Sequence, residues 1–152
     1  VIATSVLDVF KQRAASDYAK TGNCRHIFVE TMKHLLLLSI VPFVFLFVFS
    51  PYLFSTVFGP EWREAGDYAR LLAPLFFLRF TVSPLSYVLY IAEKQKYDLA
   101  WQVGLFVATS GAIIIGHRMD SAPWSVGLFS LAYSLMYLIY LRISYTAARG
   151  TL

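Results

Sequence analysis

The chain has 152 residues, of which 58% are hydrophobic and only 14% are charged, whereas a soluble domain is about half apolar and a quarter charged. Its 13 Phe and 10 Tyr exceed what a soluble core of this size could hide, so the composition excludes an ordinary soluble protein and indicates an integral membrane protein. The net charge of +4 does not point to nucleic acid, because the basic residues flank apolar runs. The length favours one compact, all-α helix bundle.

Residues 1–33 are predicted to hold the end of a preceding membrane helix and then an amphipathic link on the membrane surface, broken at Gly22–Asn23. The basic residues of this link have two interpretations: they attract anionic lipid head groups, or they only mark the cytoplasmic side of the next helix. Because the chain begins with Val1 and not with methionine, we expect it to be part of a longer protein.

The first predicted transmembrane span covers residues 34–58, an apolar run that is long enough to cross a bilayer. Pro42 lies inside it and is expected to kink the helix, because proline removes one backbone hydrogen bond. The polar stretch that follows, Glu61–Arg70, is predicted to form a short interfacial helix with Trp62 at the depth of the head groups.

The second predicted span, residues 71–92, carries Arg79 near its middle and Pro84 in its second half. An arginine at this depth costs several kcal/mol unless a partner answers it, so it usually faces a bundle interior or a wet cavity. Three interpretations of Arg79 stay open: it contacts an anionic substrate, it bonds to backbone carbonyls freed by Pro84, or it pairs with an acid on a helix that is missing from this chain. Pro42 and Pro84 are either pivots of a rocking motion or static kinks.

Residues 99–116 and 124–141 form the third and fourth predicted spans. In the third span, small residues recur at every fourth position, which places them on one helical face where a neighbouring backbone can approach closely. We interpret this stripe as a helix-packing face. It consists of Gly104, Ala108, Ala112 and Gly116.

The distribution of basic residues predicts the orientation in the membrane. If the N-terminal segment is cytoplasmic, nine basic residues lie on that side and three on the other, which is a positive-inside pattern. Both ends of the chain are therefore predicted to be cytoplasmic. The nine are Lys11, Arg13, Lys20, Arg25, Lys33, Lys94, Lys96, Arg142 and Arg149, and the three are Arg63, Arg70 and Arg118.

No motif in the sequence supports covalent chemistry. There is no glycine-rich phosphate loop, no catalytic triad candidate, and no His or Cys pair at metal-ligand spacing, so we expect no metal, no cofactor and no nucleic-acid partner. A membrane transporter is the more natural hypothesis than an enzyme.

The stretch from Phe58 to Gln102 resembles the C-terminal half of the bacterial polysaccharide flippases, the Wzx-type transporters of lipid-linked oligosaccharides. These belong to the superfamily that also contains the multidrug and toxin extrusion proteins. The resemblance covers roughly a third of the chain. It rests on Phe58-Gly59 with Trp62, Ala65-Gly66, Pro84-Leu85-Ser86 and Glu93-Lys94-Gln95-Lys96, and upstream on Val9-Phe10, Arg13-Ala14 and Gly22.

The resemblance implies that the four spans are the last part of a transporter with twelve or fourteen helices in two bundles. Such a protein flips an undecaprenyl-pyrophosphate-linked oligosaccharide across the bacterial inner membrane, with membrane lipids and the remaining helices as partners. Two alternatives stay open. A membrane-embedded glycan ligase or polymerase would be expected to have a larger outer loop, and a multidrug cation antiporter would need an acidic residue inside a span.

Overall fold

The computed structural model describes residues 2–152, with side chains described from residue 8 onward. Val1 and the side chains of residues 2–7, which belong to the predicted end of a preceding helix, lie outside the described part. The described chain is all-helical, which confirms the predicted fold class. Its helices are α1 (Ile2–Thr21), α2 (Arg25–Phe58), α3 (Arg63–Val82), α4 (Val88–Ile91), α5 (Gln95–Arg118) and α6 (Ala122–Ala148), with 3₁₀ turns at Pro60–Trp62 and Leu85–Tyr87.

Three of these helices, α2, α5 and α6, are long and apolar enough to cross a membrane. Two further segments, Pro60–Val82 and Leu85–Ile91, meet at an angle of 42° and are together long and apolar enough for one more, broken span. The chain is therefore a multi-pass membrane protein with three spans, or four when the bent pair counts as one. At about 1.5 Å per residue the 34 residues of α2 extend over roughly 51 Å, so its polar first turns reach beyond the hydrocarbon layer.

The helices extend beyond the predicted spans, because backbone hydrogen bonding continues through polar residues where the apolar run has already ended. α2 begins at Arg25 instead of residue 34, and α6 ends at Ala148 instead of residue 141. The separate interfacial helix predicted for Glu61–Arg70 is not formed. Only Pro60–Trp62 makes a short turn, and the helix that starts at Arg63 continues without interruption through Arg70 to Val82.

The bundle has the spatial order α2, α3, α6 and α5, because α3 packs against both α2 and α6, and α5 packs against α6. The segment after Pro84 lies at its centre, where Leu85, Val88 and Leu89 are completely buried. Many apolar side chains of α2 and α5 remain exposed, as expected for surfaces that face lipid or further helices.

Two ends of the bundle can be distinguished. At the junction end, the turn between α1 and α2 meets the end of α6, where the backbone N–H of Cys24 donates to the Ala148 carbonyl at 2.9 Å. Gly22 adopts a φ of +66° in this turn, which glycine accepts without steric cost. The far end holds the turn Pro60–Trp62 and the turn between α5 and α6.

Candidate functional site

The small-residue stripe of α5 lies against α6 at both of its ends. A Cβ on Gly104 would lie 3.2 Å from the terminal methyl of Met136, and a Cβ on Gly116 would collide with the backbone of Ser125. Gly116 is buried, while Ala108 and Ala112 are partly buried. The stripe therefore lets two membrane helices approach closely, which is the usual role of small residues at this spacing.

An arginine of α3 does bond to backbone carbonyls near a proline. The arginine is Arg70 and not Arg79, and the proline is Pro51 of α2 and not Pro84. Pro51 has no N–H, so the carbonyl of Phe47 one turn earlier has no partner within α2. The Arg70 Nε donates to the Phe47 carbonyl at 3.0 Å, and its Nη2 donates to the Val48 carbonyl at 3.1 Å. The guanidinium of α3 thus satisfies the Phe47 carbonyl that the proline left open in α2 and adds a second bond at Val48. Sequence reasoning assigned Arg70 to the outer polar stretch and missed this contact.

The same part of the α2–α3 interface is held by a close backbone approach. Gly66 is buried, and a Cβ placed on it would lie 2.5 Å from the Cα of Pro51. Ser50, which is completely buried, donates through its Oγ to the Gly66 carbonyl at 2.8 Å. We call this region, formed by Ser50, Pro51, Gly66 and Arg70, the proline clamp.

Arg79 lies nine residues further along α3 in different surroundings. Its side chain is exposed, and within residues 8–152 its guanidinium has no hydrogen-bond or salt-bridge partner. It lines a groove of about 430 Å³ between α2 and α3. The other lining residues are almost all apolar or aromatic, namely Leu35, Phe43, Phe76, Phe80, Ser83 and Pro84.

The predicted pivots differ in their surroundings. Pro84 lies in the break between α3 and the turn Leu85–Tyr87, so it coincides with the 42° bend of the span. Pro42 is an exposed residue in the middle of α2, and the helix continues through it. Leu85 and Ser86, which follow Pro84, are buried, and Ser86 donates through its Oγ to the Ser83 carbonyl at 2.8 Å.

The structure also contains a buried acidic group that sequence reasoning did not identify. Asp98 lies in the first turn of α5 and is only 5% exposed. Its carboxylate accepts hydrogen bonds from the Tyr90 hydroxyl at 2.9 Å, from the Gln102 Nε2 at 2.8 Å, and from the Tyr140 hydroxyl. Trp101 stacks on the Tyr140 ring at 3.8 Å.

These contacts tie α4, α5 and α6 together at the junction end. Asp98 accepts hydrogen bonds only from neutral donors. Its carboxyl oxygens therefore have the partners that buried polar groups need, without a cation. The signal that could have found it is weak, because Tyr90 lies eight residues before Asp98 and Tyr140 lies 42 residues after it. The arrangement is suited to holding the turn between α4 and α5 in place.

No metal-binding cluster of three or more His, Cys, Asp or Glu side chains occurs in the part of the chain that the structure describes. The one ion pair found there joins the His26 ring to Glu30 at 3.9 Å. Cys24 is buried at the junction end, and this burial, together with the nearby Asp17, raises the pKa of its thiol to about 11. Cys24 is therefore a protonated, unreactive packing residue.

Comparison of the chain with models of known protein families, with characterised proteins and with solved structures gives no match. The resemblance to the polysaccharide flippases therefore stays a prediction that rests on the residues of this sequence. The fold itself establishes the class of multi-pass helical membrane protein.

Proposed function

We propose that this chain is the last four spans of a polysaccharide flippase of the bacterial inner membrane, with both of its ends in the cytoplasm. The complete protein would move an undecaprenyl-pyrophosphate-linked oligosaccharide between the leaflets. The observation that supports this proposal is the guanidinium of Arg79, which has no partner among the described residues and lies in α3 beside a groove with an apolar wall.

The chemistry of this site suits a lipid that carries phosphate. A guanidinium presents a planar fork of donors that binds two phosphate oxygens at once, and it binds them more strongly where water is scarce. The aromatic side chains of Phe43, Phe76 and Phe80 offer an apolar surface beside this charge for the isoprenoid part of the same molecule. An intramembrane cation without a protein partner is a strong candidate for a substrate contact.

In this proposal the bend at Pro84 and the proline at position 42 are the two places where the groove can change shape. Both residues lie close to the groove in the chain, since Pro84 lines it directly and Pro42 precedes the lining residue Phe43. A rocking motion between inward-open and outward-open states would require the remaining helices of the transporter.

The proposal is tested with Arg79→Ala and Arg79→Lys in the full-length gene product, with surface polysaccharide as the readout. We expect the alanine variant to lose export at least about tenfold, because a charge-assisted bidentate contact disappears. The lysine variant is expected to restore only part of it, since an ammonium cannot form the planar fork.

The matched control is Arg63→Ala, which removes an exposed arginine from the far-end start of the same helix. It should export at the wild-type level. Normal export by Arg79→Ala at a normal protein level would refute the substrate role. Equal loss in the Arg63→Ala control would show that the effect belongs to the charge of the helix and not to the groove.

A further inference from the structure

The exposed surface of α2 changes from basic to apolar along the helix. Arg25, Val29, Lys33, Leu37 and Val41 form a line in which each residue lies four positions after the last, so neighbours in the line are adjacent on the helix surface, while the line as a whole winds about 160° around the helix. We call this line the α2 stripe. Arg25 and Lys33 are exposed, Leu37 is 72% exposed and Val41 is 71% exposed, so the whole stripe is accessible except for the partly buried Val29.

A cavity of about 690 Å³ lies at the basic end of the stripe. It is lined by Asn23, Arg25, His26, Val29, Glu30 and Lys33. Arg25 and Lys33 are about 12 Å apart along the helix axis, and both carry long side chains that can converge over Val29 between them.

Two contacts position the arginine of this cavity. Its backbone N–H donates to the Asn23 Oδ1 at 2.8 Å, which fixes the chain at the start of α2, and its guanidinium carbon lies 5.8 Å from the centre of the Tyr145 ring of α6. The second contact favours one region for the exposed side chain before any ligand arrives, which lowers the entropy cost of binding.

The charge balance of the cavity favours an anion. Glu30 is the one carboxylate among the lining residues and lies 3.9 Å from the His26 ring, and neither Arg25 nor Lys33 forms a salt bridge with an acid in residues 8–152. The two cations outnumber the carboxylate, so the cavity carries a net positive charge where the helix passes from its polar first turns into its apolar run. This is the depth at which lipid phosphates lie.

We propose that the α2 stripe binds an anionic phospholipid. The phosphate contacts Arg25 and Lys33 in the cavity, and the acyl chains lie along Leu37 and Val41. Charge complementarity selects the head group, and the exposed apolar side chains below it match the hydrocarbon tails. This site is separate from the groove at Arg79 and does not depend on the transport proposal.

The test uses the chain purified in a neutral detergent, with lipid binding followed by native mass spectrometry. Phosphatidylglycerol is compared with phosphatidylcholine of identical acyl chains. We expect phosphatidylglycerol to bind more tightly, and the double variant Arg25→Gln/Lys33→Gln to bind it about 30-fold more weakly while its binding of phosphatidylcholine stays unchanged. Lys33→Gln alone, which removes no contact to α6, should weaken the binding of phosphatidylglycerol about fivefold.

The matched control is Arg63→Gln/Arg118→Gln, which makes the same change of charge at the far end and should keep the wild-type affinity. Equal binding of the two lipids by the wild-type chain would overturn the proposal, as would an unchanged preference in the Lys33→Gln variant. A loss of similar size in the far-end control would also overturn it, because it would show that net charge alone attracts the lipid.

Discussion

Arg70 and Arg79 lie on the same helix, nine residues apart, and have opposite surroundings. Arg70 donates hydrogen bonds to the carbonyls of Phe47 and Val48 in the proline clamp, so its guanidinium is bound to the α2 backbone. Arg79 lines a groove and has no partner in the described residues. The difference shows that an arginine of α3 is structural where a proline on the neighbouring helix leaves a carbonyl open opposite it, and that a proline on its own helix does not have the same effect.

The nearer proline does not hold Arg79. Pro84 leaves the Phe80 carbonyl without a helical donor, and the Arg79 guanidinium forms no hydrogen bond to it in the described residues. The bonds found at the bend run from the Ser83 N–H to the Arg79 carbonyl at 3.0 Å and from the Ser86 Oγ to the Ser83 carbonyl. The clamp thus joins two helices, whereas the bonds at the bend lie within one segment and do not involve the Arg79 guanidinium.

The largest expected effect is a difference in the free energy of unfolding between variants of the two arginines. Arg70→Met should lower the free energy of unfolding by about 2 kcal/mol, because two hydrogen bonds from a charged donor are lost and the Phe47 carbonyl is left without a partner. Arg79→Met should change it by less than about 0.5 kcal/mol, as expected for a substitution that removes no contact. Unfolding of the reconstituted chain by a denaturing detergent measures both free-energy changes. Equal losses of stability in the two variants would contradict the distinction between a bonded Arg70 and an unbonded Arg79.

A second prediction concerns the close approach that brings Arg70 to its carbonyls. Gly66→Ala should cost about 2 kcal/mol, because its Cβ would meet the backbone of Pro51 and push α2 away from α3. Gly111→Ala is the matched control in α5, where a Cβ would meet nothing within 4 Å, and it should be neutral or slightly stabilising. The same unfolding measurement distinguishes them, and similar values for both would show that the clamp is not tightly packed.

The smallest predicted effect is a coupling between Pro51 and Arg70. Pro51→Ala supplies the missing N–H to the Phe47 carbonyl, so Arg70→Met should then cost about 1 kcal/mol less than in the wild-type background. A double-mutant cycle of the unfolding free energies gives this value. If the two changes in unfolding free energy were strictly additive, Arg70 would stabilise the bundle through its packing and not through the Phe47 carbonyl that Pro51 leaves open.

The membrane class and the succession of apolar helices along the chain could be predicted from the sequence, since apolar runs of sufficient length leave few alternatives. The exact ends of the helices could not be predicted, because a helix continues as long as its backbone hydrogen bonds are favourable. Residues such as Arg25 and Ala148 lie outside the apolar runs but inside helices. The separate helix expected at Glu61–Arg70 failed for the same reason, since polarity changes there but the helix does not break.

The pairings that define the candidate sites depend on how helices align across the bundle. A sequence shows that Pro51 frees a carbonyl, but the position of Arg70 opposite it follows only from the register of α3 against α2. The burial of Asp98 is a similar case, because its donors come from three places on different turns or helices. Arg79 was identified in advance because its charge alone makes it unusual in an apolar segment.

The contact between Cys24 and Ala148 has a consequence for biosynthesis. It joins the first turn of the described chain to the last helical residue, so it cannot form until almost all of these residues have left the ribosome and entered the bilayer. The proline clamp, which joins neighbouring helices, can form much earlier. Assembly during translation should therefore proceed from the far end, with the junction end closing last.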